Sequence, residues 1–197
     1  MKIFKVNDPF FLPHCGCELQ VSLNLGSGIV FVGENGIGKS TLLRRLYSEV
    51  SAPERSVVEQ ISSEYFYDRK LISIKKFFLE SELASFDHDE FLFLWAAFNL
   101  DQKEQRFVSQ LSGGESQALK LCLALCKNCP FYFLDEPSQF LDLQRKKILA
   151  NFLIRLKNRG KTVIVVEHNL DWLPPGWLVQ KLSVQNDVLK RSDEWTI

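Results

Sequence analysis

The sequence predicts an α/β fold built on a mostly parallel β-sheet. Three short apolar runs, at residues 29–32, 131–134 and 162–166, are typical of strands that are buried on both faces. Each run ends in a polar or glycine-rich turn, and helical patterns follow the first two. Strands that alternate with helices form parallel sheets, and their ligands bind at the carboxyl ends of the strands.

The segments between and around these strands predict three smaller features. The stretch of about 70–110 has no buried-strand run, and Asp87 and Glu90 have the spacing of a helix cap. We expect a small helical subdomain there, inserted in a single domain that covers residues 1–197. The first 25 residues alternate weakly and predict a peripheral antiparallel β layer. After residue 168, a Pro-Pro-Gly turn precedes one or two short strands.

The composition is that of an ordinary globular protein, with 197 residues, 46% of them hydrophobic and 24% charged. Basic and acidic residues number 24 each, so the zero net charge provides no general attraction to nucleic acid, and we expect no nucleic-acid partner. No apolar run is long enough to cross a bilayer, and the N-terminus lacks a signal-peptide pattern. We therefore expect a cytoplasmic protein.

The five cysteines allow two interpretations. They are Cys15, Cys17, Cys122, Cys126 and Cys129. Two close pairs among them could supply four metal ligands. We favour the other interpretation, in which Cys122 and Cys126 lie one turn apart on an apolar helix and behave as small hydrophobic residues. An odd number of cysteines in a cytosolic chain also argues against a disulfide framework.

A phosphate-binding loop follows the first apolar run. Its pattern is G-x-x-x-x-G-K-[ST], and it stands between a predicted strand and a predicted helix. Glycines allow backbone N–H groups to surround phosphates, and the helix start adds a positive dipole end. Lys39 is expected to reach the β- and γ-phosphates and Ser40 to bind Mg²⁺. The residues expected to bind ATP are Gly33, Glu34, Asn35, Gly36, Ile37, Gly38, Lys39, Ser40 and Thr41.

Two carboxylates end the second apolar run, FYFLDEP. Asp135 at the end of a strand beside a phosphate loop is placed to hold Mg²⁺, usually through water. Glu136 follows directly and can face an attacking water. Taken alone, the pair is equally compatible with a solvated turn, because acids are common there.

A second glycine-rich motif, LSGGE, precedes another helical pattern. Ser112 and Glu115 have capping-box spacing, which places a helix start at this motif. Its glycines expose N–H groups that could bind an anion. A capped helix without a ligand is the alternative, and the local pattern alone does not decide between the two.

Together these motifs resemble the ABC (ATP-binding cassette) ATPase family over nearly the whole chain. GENGIGKST resembles the Walker A motif of this family, LSGGE its signature, and FYFLDEP its Walker B motif with the catalytic glutamate. SQFLD, which ends at Asp142, resembles the D-loop, and VVEH, which ends at His168, resembles the switch-histidine strand. Their order and spacing also agree with the family.

The resemblance implies a P-loop NTPase fold of the ABC type and an ATPase that works as a homodimer or with a paired ABC subunit. The signature residues Ser112, Gly113, Gly114 and Glu115 of one subunit would meet the ATP held on Lys39 of the other. Dimer closure would then depend on ATP. Glu136 would act as general base, His168 would contact the γ-phosphate, and Asp142 would help bridge the subunits.

The resemblance leaves two further binding residues as expectations. Gln60 is the candidate Q-loop residue that contacts Mg²⁺, with Glu64 as the alternative for that place and a solvent-facing strand residue as the other interpretation of Gln60. Phe11, or its neighbour Phe10, is the candidate that stacks on adenine, and core packing is the alternative for either. The D-loop departs from the family pattern, because Phe140 stands where the family usually has a small residue.

Two roles are compatible with such an ATPase. In the first, a separate transmembrane permease subunit holds the protein at the inner face of the cell membrane and uses its ATP hydrolysis for transport. The aromatic content of the 70–110 region supports this role, because the resemblance implies that this region docks the membrane subunit. In the second, a soluble ABC ATPase acts in cofactor or complex assembly.

Overall fold

A computed structural model describes residues 2–12, 15–59 and 87–197. The chain divides into two compact units. The first contains residues 1–57, 129–136 and 150–197, and the second contains residues 58–128 and 137–149. The expected 70–110 subdomain falls within the second unit, and its residues 70–86 lie outside the described part of the chain.

An eight-stranded sheet is the main feature of the described chain. Its order is β1-β2-β8-β7-β3-β6-β5-β4. The strands are β1 (Lys2–Leu12), β2 (Cys15–Leu23), β3 (Gly28–Val32), β4 (Arg55–Val58), β5 (Phe131–Asp135), β6 (Thr162–Val166), β7 (Leu178–Gln185) and β8 (Val188–Thr196).

The centre of the sheet is parallel, as the three apolar runs predict. β3 pairs in parallel with β6 and with β7, and β6 pairs in parallel with β5. Phe31 lies opposite Val166, and both side chains are fully buried. Continuous apolar sequence is what a strand needs when both of its faces are covered. The predicted α/β fold with a mostly parallel sheet is thus confirmed.

Antiparallel pairs complete the other side of the sheet. β1 and β2 form an antiparallel hairpin, and β7 and β8 form another. The N-terminal hairpin joins the same sheet through a short parallel contact of β2 with β8, where Gly16 lies opposite Val188. The two strands after the Pro-Pro-Gly turn have 8 and 9 residues, so they are longer than the short strands that the sequence predicts.

Helix α1 (Lys39–Ser48) follows β3 and buries Leu42, Leu43 and Leu46. Its last turn is held by Arg55 of β4, whose guanidinium donates to the carbonyls of Tyr47 and Val50. A cation at a helix C-terminus interacts favourably with the exposed carbonyl groups. This arrangement fixes the helix that carries Lys39 and Ser40.

The described part of the second unit contains two complete α-helices, α2 (His88–Ala97) and α3 (Gly113–Leu125). Asp87 caps α2 as predicted, because its carboxylate accepts the Glu90 N–H at 3.2 Å. The two helices are linked where the Asp87 N–H donates to the carbonyl of Cys126 at 2.8 Å. A fourth helix, α4 (Leu143–Asn158), begins in the second unit and ends in the first.

The metal interpretation of the cysteines finds no support in this structure. Cys122 and Cys126 are buried on and beside α3, as small hydrophobic residues would be. Among residues 2–12, 15–59 and 87–197, no three His, Cys, Asp or Glu side chains are grouped so that they could hold a metal ion. In the same ranges, no helix has the length and apolar content to span a bilayer.

Candidate functional site

The loop between β3 and α1 depends on glycine at both of its ends. A Cβ on Gly33 would lie 2.5 Å from the Ile37 side chain and 2.8 Å from the carbonyl oxygen of Leu182, so no larger residue fits. Gly38 is the N-cap of α1 with a φ of 101°, a left-handed conformation that glycine adopts readily. Its carbonyl accepts the Leu42 N–H at 2.8 Å, which begins the helix.

Lys39 folds back over this loop. Its ammonium group donates to the carbonyls of Gly33 at 2.9 Å and Glu34 at 2.7 Å, and the residue is only 6% exposed. Burial lowers the pKa of Lys39, while the negative charges of Glu136 and Asp135 act in the opposite direction. The cation therefore lies within the electrostatic field of both acids that end β5.

Ser40 and Asp135 come together although 95 positions separate them in the sequence. The Ser40 hydroxyl donates to the Asp135 carboxylate at 3.0 Å. Asp135 is 2% exposed at the end of β5, and Ser40 lies in the first turn of α1. A hydroxyl oxygen next to a carboxylate oxygen is a donor set that fits Mg²⁺.

Glu136 and His168 form the second contact at this edge of the sheet. His168 Nε2 lies 3.0 Å from Glu136 Oε1, and the two side chains are 38% and 14% exposed. The backbone of Glu136 is left-handed, with a φ of 46°, and its N–H donates to the carbonyl of Val166 at 2.9 Å. A non-glycine residue with this conformation stores strain, which is common at functional sites.

The LSGGE motif begins α3 in the second unit. The Ser112 hydroxyl accepts the Glu115 N–H at 3.2 Å, and the Glu115 carboxylate accepts the Ser112 N–H at 2.9 Å. This is the capping box that the sequence predicts. Lys103 adds an ion pair at 2.8 Å to the same carboxylate. The hydrogen bond from Lys103 is the largest cause that lowers the pKa of Glu115 to about 2, followed by the Ser112 N–H.

The D-loop contacts this motif within the second unit. Phe140 is left-handed with a φ of 63°, and a Cβ added at Gly113 would lie 3.7 Å from its ring. A Cβ on Gly114 would lie 2.7 Å from the carbonyl oxygen of Phe140, so glycine is required there for packing. The Asp142 carboxylate caps the start of α4, because it accepts the Arg145 N–H at 2.8 Å. It also lies 3.7 Å from the Arg145 guanidinium.

The structure thus brings the expected residues together in two groups. Lys39, Ser40, Asp135, Glu136 and His168 meet in the first unit, and the signature meets the D-loop in the second. Gln60 and Glu64 lie outside the described residues, and so do the side chains of Phe10 and Phe11. The pair of Lys103 with Glu115 cannot be predicted from the sequence, because nothing in the local pattern links Lys103 to the signature.

The first unit has the features of a P-loop nucleotide-binding domain. A glycine-rich loop joins a strand to the helix that carries Lys39 and Ser40, and another strand of the sheet ends in the acid Asp135. Comparison with known proteins gives the family. A family model described as "ABC transporter" matches residues 17–139, and the chain belongs to that family. The resemblance that the motifs indicate is therefore confirmed.

Three relatives show the range of this family. The manganese transport system ATP-binding protein MntB of Bacillus subtilis is 42% identical over 35% of the chain and 30% of its own length. A probable metal transport system ATP-binding protein of Chlamydia pneumoniae is 25% identical over 80% of the chain and 70% of its own length. Translation initiation factor rli1 of Schizosaccharomyces pombe is 33% identical over 72% of the chain.

The aligned region is only a part of several of these proteins. It covers 30% of MntB and 23% of rli1. Among solved structures, a dimeric bacterial ABC transporter cassette superposes with a TM-score of 0.74 over 99% of the chain and 97% of its own length. Its identity is 18%, so this likeness supports the fold alone.

Proposed function

We propose that this chain is the ATP-hydrolysing subunit of an ABC transporter. Two subunits hold two MgATP between them and drive a separate membrane subunit. The observation that carries the ATPase proposal is the pair of contacts at the end of β5: Ser40 with Asp135, and Glu136 with His168. Together they support a site at this strand end in which residues that could hold Mg²⁺ lie beside a candidate carboxylate base.

The phosphate loop supplies binding and charge neutralisation. Backbone N–H groups of residues 33–38 surround the phosphates, and Lys39 exchanges its two carbonyl acceptors for phosphate oxygens. Ser40 and Asp135 are the residues that would hold Mg²⁺. Bound there, Mg²⁺ would neutralise the charge that develops on the transferred phosphoryl group.

Glu136 orients the attacking water and accepts its proton. The contact with His168 Nε2 holds the Glu136 carboxylate in a fixed orientation at the end of β5. His168 is 38% exposed and can turn toward the γ-phosphate. Most of the acceleration comes from position and charge rather than from a covalent intermediate.

The signature supplies the remaining phosphate contacts in trans. Ser112, Gly113 and the following amides stand at the N-terminus of α3, where the helix dipole favours an anion. The two copies are related by a two-fold axis, so each signature meets the ATP on Lys39 of its partner. The carboxylates of Glu115 and Asp142 each cap a helix start, so their part is to hold these turns in shape.

Exposed apolar side chains support a membrane partner. On α2, Leu92 is 50% exposed and Phe93 48% exposed, and Phe107 in the following segment is 43% exposed. Large apolar side chains that are exposed to solvent can mark interaction surfaces. We propose that the exposed apolar residues of α2, Leu92 and Phe93, dock a transmembrane permease subunit, which would place the protein at the inner face of the membrane. Two relatives are named for metal transport, which makes metal ions the first cargo to test.

Glu136→Gln tests the ATPase proposal. The variant keeps the size of the side chain but removes the base, so ATP turnover should fall by at least about a hundredfold while nucleotide still binds. Glu49→Gln is the matched control, because Glu49 lies on the surface in a 3.8 Å pair with Arg45. Turnover by Glu136→Gln equal to that of the control would reject the role of Glu136.

The relative rli1 is named as a translation initiation factor rather than a transport protein, which supports the second candidate function, a soluble ABC ATPase that acts in cofactor or complex assembly. The two candidates differ in their partners. If the protein serves transport, it should co-purify from solubilised membranes with a multispanning protein, and Leu92→Ser/Phe93→Ser should abolish that association without altering ATP binding. Association with soluble complexes alone, unchanged by the double substitution, would favour the second candidate.

A further inference from the structure

Lys103 makes a contact that local sequence pattern does not predict. It ends a short 3₁₀ turn, Asp101–Lys103, and its ammonium group lies 2.8 Å from Glu115 Oε1. The other oxygen of Glu115 accepts the Ser112 N–H. Both carboxylate oxygens are thus engaged, one by the signature turn itself and one by Lys103.

The pair is well sheltered for an ion pair at a helix end. The side chains of Lys103 and Glu115 are 23% and 12% exposed. The turn that carries Lys103 is anchored, because the Lys103 N–H donates to the carbonyl of Leu100, which is fully buried, and the Leu100 N–H donates to Trp95 in α2. The backbone at Lys103 is therefore held in place by these hydrogen bonds.

The charge of Glu115 presents a difficulty for an anion site. The carboxylate stands in the first turn of α3, where the proposed function places the γ-phosphate of ATP. The carboxylate of Glu115 and the γ-phosphate are both negative and would repel each other, and this repulsion would oppose the attraction between the phosphate and the helix N-terminus. A cation on the carboxylate removes most of that repulsion while leaving the capping hydrogen bond intact.

We propose that Lys103 is a positioning residue of the ATP-receiving signature, which neutralises Glu115 so that a triphosphate bound to a second copy of this chain can approach. This inference rests on the proposed function, in which the signature meets ATP in trans. Lys103 does not touch the nucleotide in this arrangement, and it acts through Glu115.

A double-mutant cycle tests the inference. ATP-driven dimerisation is measured by light scattering in a Glu136→Gln background, where hydrolysis does not deplete the ligand. Lys103→Met should raise the ATP concentration for half-maximal dimerisation by about tenfold, in the range of coupling between contacting residues. Glu115→Gln should have a small effect, because a neutral amide oxygen still caps Ser112.

The combination of substitutions decides the cause. Lys103→Met/Glu115→Gln should return the ATP requirement to within about threefold of Glu115→Gln alone, because no uncompensated charge remains. Lys103→Arg should behave like the parent. Lys190→Met is the matched control, since Lys190 pairs with Glu18 at 2.9 Å on the first unit. It should leave the ATP requirement unchanged.

Two results would overturn the inference. Lys103→Met could dimerise like the parent, or the double variant could remain as impaired as Lys103→Met, which would mean that Lys103 acts by packing. Thermal unfolding of each variant shows whether impairment follows from lost stability. Failure of the parent itself to dimerise with ATP refutes the proposed function and this inference together, whereas failure within a dimerising parent refutes the inference alone.

Discussion

Glu136 combines the proposed catalytic role of its carboxylate with a strained backbone conformation. Substitutions at this position can separate the effect of losing the carboxylate from the effect of relieving the strain. Its φ of 46° is left-handed, a conformation that costs a residue with a Cβ about 1 kcal/mol. Glu136→Ala keeps the Cβ and the strain, while Glu136→Gly removes both. The two variants lose the same carboxylate and the same contact with His168, so their difference isolates the backbone term.

We therefore expect Glu136→Gly to be more stable than Glu136→Ala by about 1 kcal/mol. For a chain of 197 residues, this corresponds to about 2–4 °C in Tm. Both variants should be inactive. The measurement is thermal unfolding followed by circular dichroism, in the absence of nucleotide and at one protein concentration.

A helical position provides the control with the opposite sign. Asn151 is exposed in the middle of α4, where glycine is about 1 kcal/mol less favourable than alanine. Asn151→Gly should therefore unfold at a lower temperature than Asn151→Ala. If Glu136→Ala proves as stable as Glu136→Gly, or more stable, the strain argument for this residue is wrong.

Three further predictions follow from the described contacts. Gly114→Ala should destabilise the protein by about 1–3 kcal/mol, because the new Cβ would lie 2.7 Å from the Phe140 carbonyl oxygen. Gly113→Ala should destabilise it less, because its Cβ would lie 3.7 Å from the nearest atom, in the Phe140 ring. The Tm values of the two variants test this difference. The folded-state pKa of Glu115 is lowered from 4.5 to about 2, so its ionised form adds stability above pH 4.5 that is lost as the pH falls toward 2. The Tm gap between wild type and Glu115→Gln should be constant near neutral pH and shrink in acid, and a constant gap down to pH 3 would contradict this. Lys39→Met should weaken ATP binding by at least about tenfold in equilibrium titration, because the cation that meets the phosphates is gone.

The sequence predicted those elements whose pattern is set by burial on both faces. The strands at residues 28–32, 131–135 and 162–166 consist mainly of apolar residues, and nearly all of those residues are buried. β4 was not predicted, since its four residues alternate in burial and begin with a charged residue that caps α1. A short edge strand of this kind has too little periodicity to be recognised.

The parts of the site whose geometry is set by a local motif can be predicted from the sequence. The parts whose geometry is set by tertiary contacts cannot. The phosphate loop and the capping box of α3 are local, so the residue spacing indicates them. The left-handed backbones of Glu136 and Phe140 are not marked by glycine, and the sequence gives no sign of them. The Lys103–Glu115 pair likewise depends on an irregular turn between α2 and α3.

Mixing two inactive variants tests most directly the claim that ATP is held jointly by two copies. Lys39→Ala disables the phosphate loop and leaves the signature intact. Gly113→Glu places a repulsive carboxylate in the signature, while an acid in the first turn is compatible with helix α3. Each variant alone lacks any intact site, but a mixed dimer joins the phosphate loop of one to the signature of the other. An equimolar mixture should regain about a quarter of wild-type ATPase activity, since half of the dimers are mixed and each has one working site. If the mixture stays as inactive as its two components, the two halves of the site do not meet across subunits.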